Sequence, residues 1–134
     1  MRKKIVIISI GVFIIIIFCF FQCTLKLTFR TDYEQVYAIE VHVPGVKGIY
    51  TEDTDKIKQV IRDIENIRYY KLGNLKTYNT SPDCYVSLFD KNGKVIEEIE
   101  YYGYVAVYNK EKYGVLPFTY HRLEKLCNRL NEKQ

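Results

Sequence analysis

The sequence predicts an α+β protein. An N-terminal transmembrane helix is followed by a two-layer domain, in which a mostly antiparallel sheet of about five strands carries two helices on one face, in the order β-α-β-β-β-β-β-α. Three observations predict this. Residues 1–23, MRKKIVIISIGVFIIIIFCFFQC, carry no charge after Lys4. Beyond them, short stretches alternate apolar and polar residues and are bounded by Pro44-Gly45, Asn92-Gly93 and Pro117. Two further stretches repeat apolar residues at helical spacing.

The uncharged run from Ile5 to Cys23 is 19 residues long. As a helix it spans about 28 Å, close to the ~30 Å hydrocarbon thickness of a bilayer. It is longer than the apolar core of a cleavable signal peptide, and no pair of small residues follows it at cleavage spacing. Phe18 before Cys19 and Gln22 before Cys23 also fail as lipoprotein signals. The expectation is an uncleaved anchor over 1–23, a tether over 24–35 and an extracytoplasmic domain over 36–134. Arg2, Lys3 and Lys4 place the N-terminus in the cytoplasm by the positive-inside rule.

The first strand is Val36–Val43, where Tyr37, Ile39, Val41 and Val43 alternate with Ala38, Glu40 and His42. A helix follows over 53–67, with Ile57, Val60, Ile61, Ile64 and Ile67 on one stripe and Thr51 or Asp53 as its cap. The stretch RYYKLGNLKTYNTSPDC reads as a short strand and a loop, and Asn79-Thr80-Ser81 fits the N-glycosylation pattern weakly. Cys84–Phe89 and Lys94–Tyr102 flank Asp90-Lys91-Asn92-Gly93 as a hairpin. Tyr104–Tyr108 and Lys112–Leu116 form a second. The last helix, over 119–131, aligns Leu123, Leu126, Cys127 and Leu130, with Thr119 as its cap.

The net charge of +4 is uneven. Residues 1–30 hold five basic side chains and no acid, which leaves fifteen basic against sixteen acidic residues in the remaining 104. A domain so close to neutral argues against nucleic acid as a partner, and weakly against electrostatic docking to anionic lipid. Of the four cysteines, Cys19 and Cys23 share a face of the anchor. Cys84 and Cys127 are either a disulfide or a pair of small buried hydrophobes.

Catalytic and cofactor motifs are not found. His42 sits mid-strand and His121 in the first turn of the last helix. A nucleophile at Cys84 or Cys127 with His121 as base is conceivable, but Cys127 and His121 diverge by well over 90° around their helix. Glu98 and Glu100 share a strand face, where solvated charge is far commoner than acid–base work. No metal-ligand spacing, phosphate loop or serine-hydrolase motif occurs. The expectation is no catalytic residue, no cofactor and no metal.

The remaining signal is tyrosine. The stretch EYYGYVAVYNKEKYGVL holds five. If the chain stayed extended through Gly103, Tyr102, Tyr104 and Tyr108 would share the open sheet face. A tight turn there would move Tyr104 and Tyr108 to the helix side. A bulge or bend leaving part of the row exposed is expected, and Tyr102, Tyr104 and Tyr108 are the candidate binding surface.

A basic start, an apolar anchor and a β-α-β domain with GYVAVYNKEKYGVL before a final helix resemble small envelope-attached proteins of low-GC Gram-positive bacteria, which are domains of unknown function. The Ile-, Lys-, Tyr- and Asn-rich composition fits an AT-rich genome. The resemblance implies a location and transfers no active-site residue. The expectation is a non-enzymatic domain, anchored in the bilayer through 5–23, that binds an envelope protein or wall polymer, in one version as an inhibitor or immunity-type protein. The alternatives are an envelope enzyme using Cys84 or His121, and an accessory subunit of a membrane complex.

Overall fold

In a computed structural model that describes residues 2–72 and 80–132, the apolar run forms one helix, α1, Arg2–Cys23. Its large side chains from Ile5 to Phe21 are all exposed, and Ile5–Cys23 is apolar enough to cross a membrane. The Ser9 hydroxyl donates back to the Ile5 carbonyl at 2.9 Å, so the helix satisfies this polar group internally.

The rest of the chain is built on a single sheet of eight antiparallel strands. In chain order these are β1 Thr24–Lys26, β2 Ala38–His42, β3 Ile49–Thr51, β4 Arg68–Lys71, β5 Cys84–Phe89, β6 Val95–Tyr102, β7 Val105–Tyr108 and β8 Glu111–Val115. They lie in the order β1-β4-β8-β7-β6-β5-β2-β3. Helix α2, Thr54–Glu65, and helix α3, Thr119–Asn131, complete the α+β fold. The sheet therefore has eight strands where about five were expected. Two of the strands absent from the expected order, β1 and β3, have three residues each, too few for an alternation to show, while the expected short strand after α2 forms as β4. β1 and β3 lie at sheet edges, where short strands limit unwanted pairing. The glycosylation pattern at Asn79 lies outside the described residues.

One core unites the sheet with both helices. Ile39, Val41, Val86, Leu88, Ile99 and Tyr101 on the strands pack in the same cluster as Ile57, Val60, Ile64, Leu123, Leu126 and Leu130 on the helices. Each fully buried aliphatic side chain contributes about 2 kcal/mol of transfer free energy, which fixes the helices on this face. Asp53 caps α2, its carboxylate accepting from Asp55 N–H at 2.9 Å and Lys56 N–H at 3.0 Å. Thr119 does not cap α3. Phe118 takes that position without a side-chain bond, and the Thr119 hydroxyl is buried with no partner.

Residues 24–35, expected as a tether, are part of the domain. β1 pairs with β4, Leu27 and Phe29 are buried in the core, and Tyr33–Gln35 forms a 3-10 turn. The intervening backbone is held by carboxylates. Glu65 accepts from Phe29 N–H at 3.0 Å. Glu97 accepts from Arg30 N–H at 2.9 Å, from Thr31 N–H at 2.8 Å and from the Tyr108 hydroxyl at 2.6 Å. Burial alone would raise the Glu97 pKa, but these three donors outweigh it and hold the group below its ordinary value.

Two outcomes follow. A depressed folded-state pKa means that Glu97 stabilises the fold above the ordinary glutamate pKa of 4.5, and that this contribution is lost as pH falls below it. Glu97→Gln should lower stability by about 2 kcal/mol at pH 7, as a shift in urea midpoint in detergent, and should flatten the loss below pH 4.5. An unchanged midpoint would remove Glu97 from this role. Thr119→Val replaces a buried hydroxyl that has no partner with a methyl group, and should raise stability by about 1 kcal/mol. A loss by the same measurement would show the hydroxyl to be satisfied.

Candidate binding face

The helices cover one side of the sheet, and among the described residues no helix covers the other. Register decides which residues reach that open side. Gly103 adopts φ +59°, in the left-handed region that glycine enters without strain, and Tyr102 pairs directly with Val105. The chain therefore turns in two residues, Gly103 and Tyr104. Asp83 holds the turn by accepting from Gly103 N–H at 2.8 Å, and the Tyr120 hydroxyl donates to the Gly103 carbonyl at 2.6 Å.

This turn divides the three expected tyrosines. Tyr102 lies on the open face. Tyr104 is at the turn tip, 75 % exposed. Tyr108 pairs with Ile99 and points to the helix side, where it is only 5 % exposed and donates to Glu97 and to the Thr28 carbonyl. Tyr108 thus leaves the candidate surface and serves the fold. Tyr69 and Tyr101 are likewise interior, with their hydroxyls 2.6 Å apart. Burial raises both pKa values well above the ordinary phenol range.

What the open face carries instead is carboxylate. Cross-strand pairing sets Glu40, Ser87 and Glu98 in one row over β2, β5 and β6. His42, Tyr85, Glu100, Val107 and Lys112 form the next row, from β2 to β8. Each glutamate is positioned by a hydroxyl donor. Tyr85 donates to Glu40 at 3.0 Å, Ser87 to Glu98, and Tyr102 to Glu100 at 2.9 Å. Burial and then the bond to Glu100 push the Tyr102 hydroxyl up to about 12, so it remains a donor at neutral pH. His42 stacks on Tyr85 with ring centroids 5.2 Å apart. In the third row Tyr70 lies over Gly114, where any β-carbon would collide with its ring. The face carries glutamates and tyrosines, with the backbones of Glu40 and Glu98 two strands, about 10 Å, apart.

Among the described residues no hydrogen bond joins His121 to Cys84 or Cys127. Cys84 and Cys127 are free thiols, each fully buried. Burial pushes Cys84 up to about 12 and Cys127 up to about 11, so neither offers a thiolate near neutral pH. His121 is exposed on α3 and pairs with Glu124 at 3.7 Å. No group of three metal-ligating side chains occurs among the described residues.

Sequence reasoning placed Glu98 and Glu100 on one face but did not join them to Glu40. The missing information was the pairing of β2 with β5, which brings Glu40 into the Ser87 row from 58 residues before Glu98. Comparison with known protein families, characterised proteins and solved structures finds no match for this chain.

The burial of both core thiols has a direct consequence. In the folded protein at pH 7.5, iodoacetamide should modify Cys84 and Cys127 only at the rate of unfolding, and at least a hundredfold more slowly than in urea. Rapid modification of Cys84, read by peptide mass spectrometry, would contradict its burial and revive a role as nucleophile.

Proposed function

We propose that this protein is a single-pass membrane protein whose extracytoplasmic domain binds a basic protein partner at the cell envelope through the open sheet face. The observation that carries the reading is the array of Glu40, Glu98 and Glu100, each fixed by a hydroxyl donor. Glu98 and Glu100, two residues apart on one face of β6, and Glu40, two strands away, are like charges that repel one another. A lysine- or arginine-bearing partner relieves that repulsion and gains charge-assisted hydrogen bonds. Tyr50, Tyr85 and Tyr102 frame the carboxylates with rigid aromatic area, which orders at low entropy cost on binding. A wall polymer rich in phosphate would be repelled by the same charges, so a protein is favoured over an anionic polymer.

The apolar helix α1 and the basic residues before it support insertion with the N-terminus inside. The burial of Cys84 and Cys127 supports the binding reading over a thiol-dependent enzyme. An inhibitor or immunity-type protein is the specific version favoured, since such a protein acts by occupying a target at the membrane. An open sheet face suits that role.

The test uses the full chain in detergent. Partners are captured from envelope extract by wild type and by an E40Q/E98Q/E100Q variant, and identified by mass spectrometry. A specific partner should be held by wild type and lost at least tenfold by the variant, with its binding weakened by added salt. Equal capture by both proteins would remove the acidic face from the reading. Capture that depends only on α1, shown by exchanging it for an unrelated anchor, would favour an accessory subunit of a membrane complex.

A further inference from the structure

A second feature lies on the helix side of the sheet, at the end of the domain next to α1. A cleft of about 350 Å³ opens between the segment that follows α1 and the ends of β4, β7 and β8. Its walls begin at Leu25, two residues beyond the end of α1 at Cys23. Three cationic residues border it, Lys26 and Arg30 from the post-helix segment and Lys71 from the end of β4, but Lys26 pairs with Arg68 and sends its side chain to the opposite face of the sheet. Lys71 is brought there by pairing with Tyr113, itself on the cleft wall. Asn109, which opens the tight turn between β7 and β8, supplies a neutral amide.

The one acid on the wall, Glu111, already accepts a 2.7 Å bond from the Tyr113 hydroxyl. The Lys26 ammonium lies away from the cleft, 2.8 Å from Asn66, which is not on its wall. Arg30 and Lys71 therefore set two positive charges against one negative, in a domain that is nearly neutral overall. Arg68, on the neighbouring β-strand, lies over the Phe21 ring at 4.2 Å and donates to the Thr24 hydroxyl at 2.8 Å. These contacts hold the end of α1 against the sheet edge and keep the cleft beside it.

We propose that this cleft binds a phosphate group, and that the anionic headgroup of a phospholipid supplies it. Arg30 offers a planar fork and Lys71 a compact ammonium donor, the combination that phosphate oxygens favour. Position selects the lipid. The inference rests on α1 as a membrane anchor, because the polar headgroup zone is only about 5–8 Å deep per leaflet, and a wall two residues beyond the helix end borders it. Bound there, a headgroup would fix the height and tilt of the domain, with the acidic face turned away from the anionic lipid surface that would repel it.

The experiment titrates the full chain, isotope-labelled and in a nonionic detergent, with dihexanoyl-phosphatidylglycerol, dihexanoyl-phosphatidylcholine or inorganic phosphate. The amide resonances of Asn109, Glu111 and Tyr113 are followed by NMR. Phosphatidylglycerol should shift them saturably, phosphatidylcholine at least tenfold more weakly, and the R30Q/K71Q variant should lose affinity at least tenfold. Both side chains are exposed, so the variant should keep the wild-type spectrum elsewhere. Saturation by inorganic phosphate at equal affinity would keep the phosphate site and overturn the lipid as its source. Saturation by neither anion, or affinity unchanged in R30Q/K71Q, would overturn the site itself. Membrane insertion is read separately, by resistance of the full chain to alkaline carbonate extraction, so failure of the anchor is distinguishable from failure of the cleft.

Discussion

The two-residue turn at Gly103 and Tyr104 is the constraint on which the rest of this structure depends. Side chains alternate along a strand, so the number of residues in a turn decides which of them meet the core. With two, Tyr108 enters the helix side opposite Ile99, and Val105 is left beside Tyr102. One more extended residue would exchange them. Tyr108 would then lose Glu97, and the backbone at Arg30 and Thr31 would lose the partner that organises their common acceptor. Glycine at φ +59° permits the turn, while Asp83 and Tyr120 secure its backbone on either side. A local backbone choice thereby fixes the attachment of a segment more than 70 residues earlier.

That attachment changes what kind of object the chain is. A flexible tether would let the domain rotate freely beneath an anchor. Here β1 follows α1 without a gap, and the next residues are buried or bonded to Glu65 and Glu97. Half-buried on the helix side, Glu97 is sustained by three donors directed at one carboxylate. Hydroxyl-to-carboxylate pairing recurs across the molecule, at Glu40, Glu98, Glu100 and Glu111 as well. A tyrosine-rich sequence with no tryptophan thus uses its phenols largely as internal donors, which explains their number without a single aromatic platform.

Much of the fold was legible because its signals are local. The apolar run of α1, the isoleucine stripe of α2, the leucine stripe of α3 and the Asn-Gly hairpin each announce themselves within a few residues. β1 and β3 did not, because three residues cannot display a period of two. Thr119 looked like a cap by residue type, yet the backbone placed Phe118 there instead. The site was less legible for a related reason. Glu98 and Glu100 could be placed on one face from their spacing, but Glu40 joins them only through the pairing of β2 with β5. Lys71 joins Arg30 only through the pairing of β4 with β8. Sequence order conceals clusters whose members come from distant strands.

Charge makes the same point at the scale of the whole domain. Counted along the chain, fifteen basic and sixteen acidic residues beyond Arg30 cancel, and near-neutrality spoke against nucleic acid and weakly against docking to anionic lipid. Counted in space, they do not cancel locally. Three glutamates gather on the open face, and Arg30 and Lys71 gather in the cleft beside α1 on the opposite side of the sheet. A neutral total is then compatible with two opposite binding preferences. The sheet separates them, because the alternation that sends Glu98 and Glu100 to one face sends Tyr113 and Lys71 to the other.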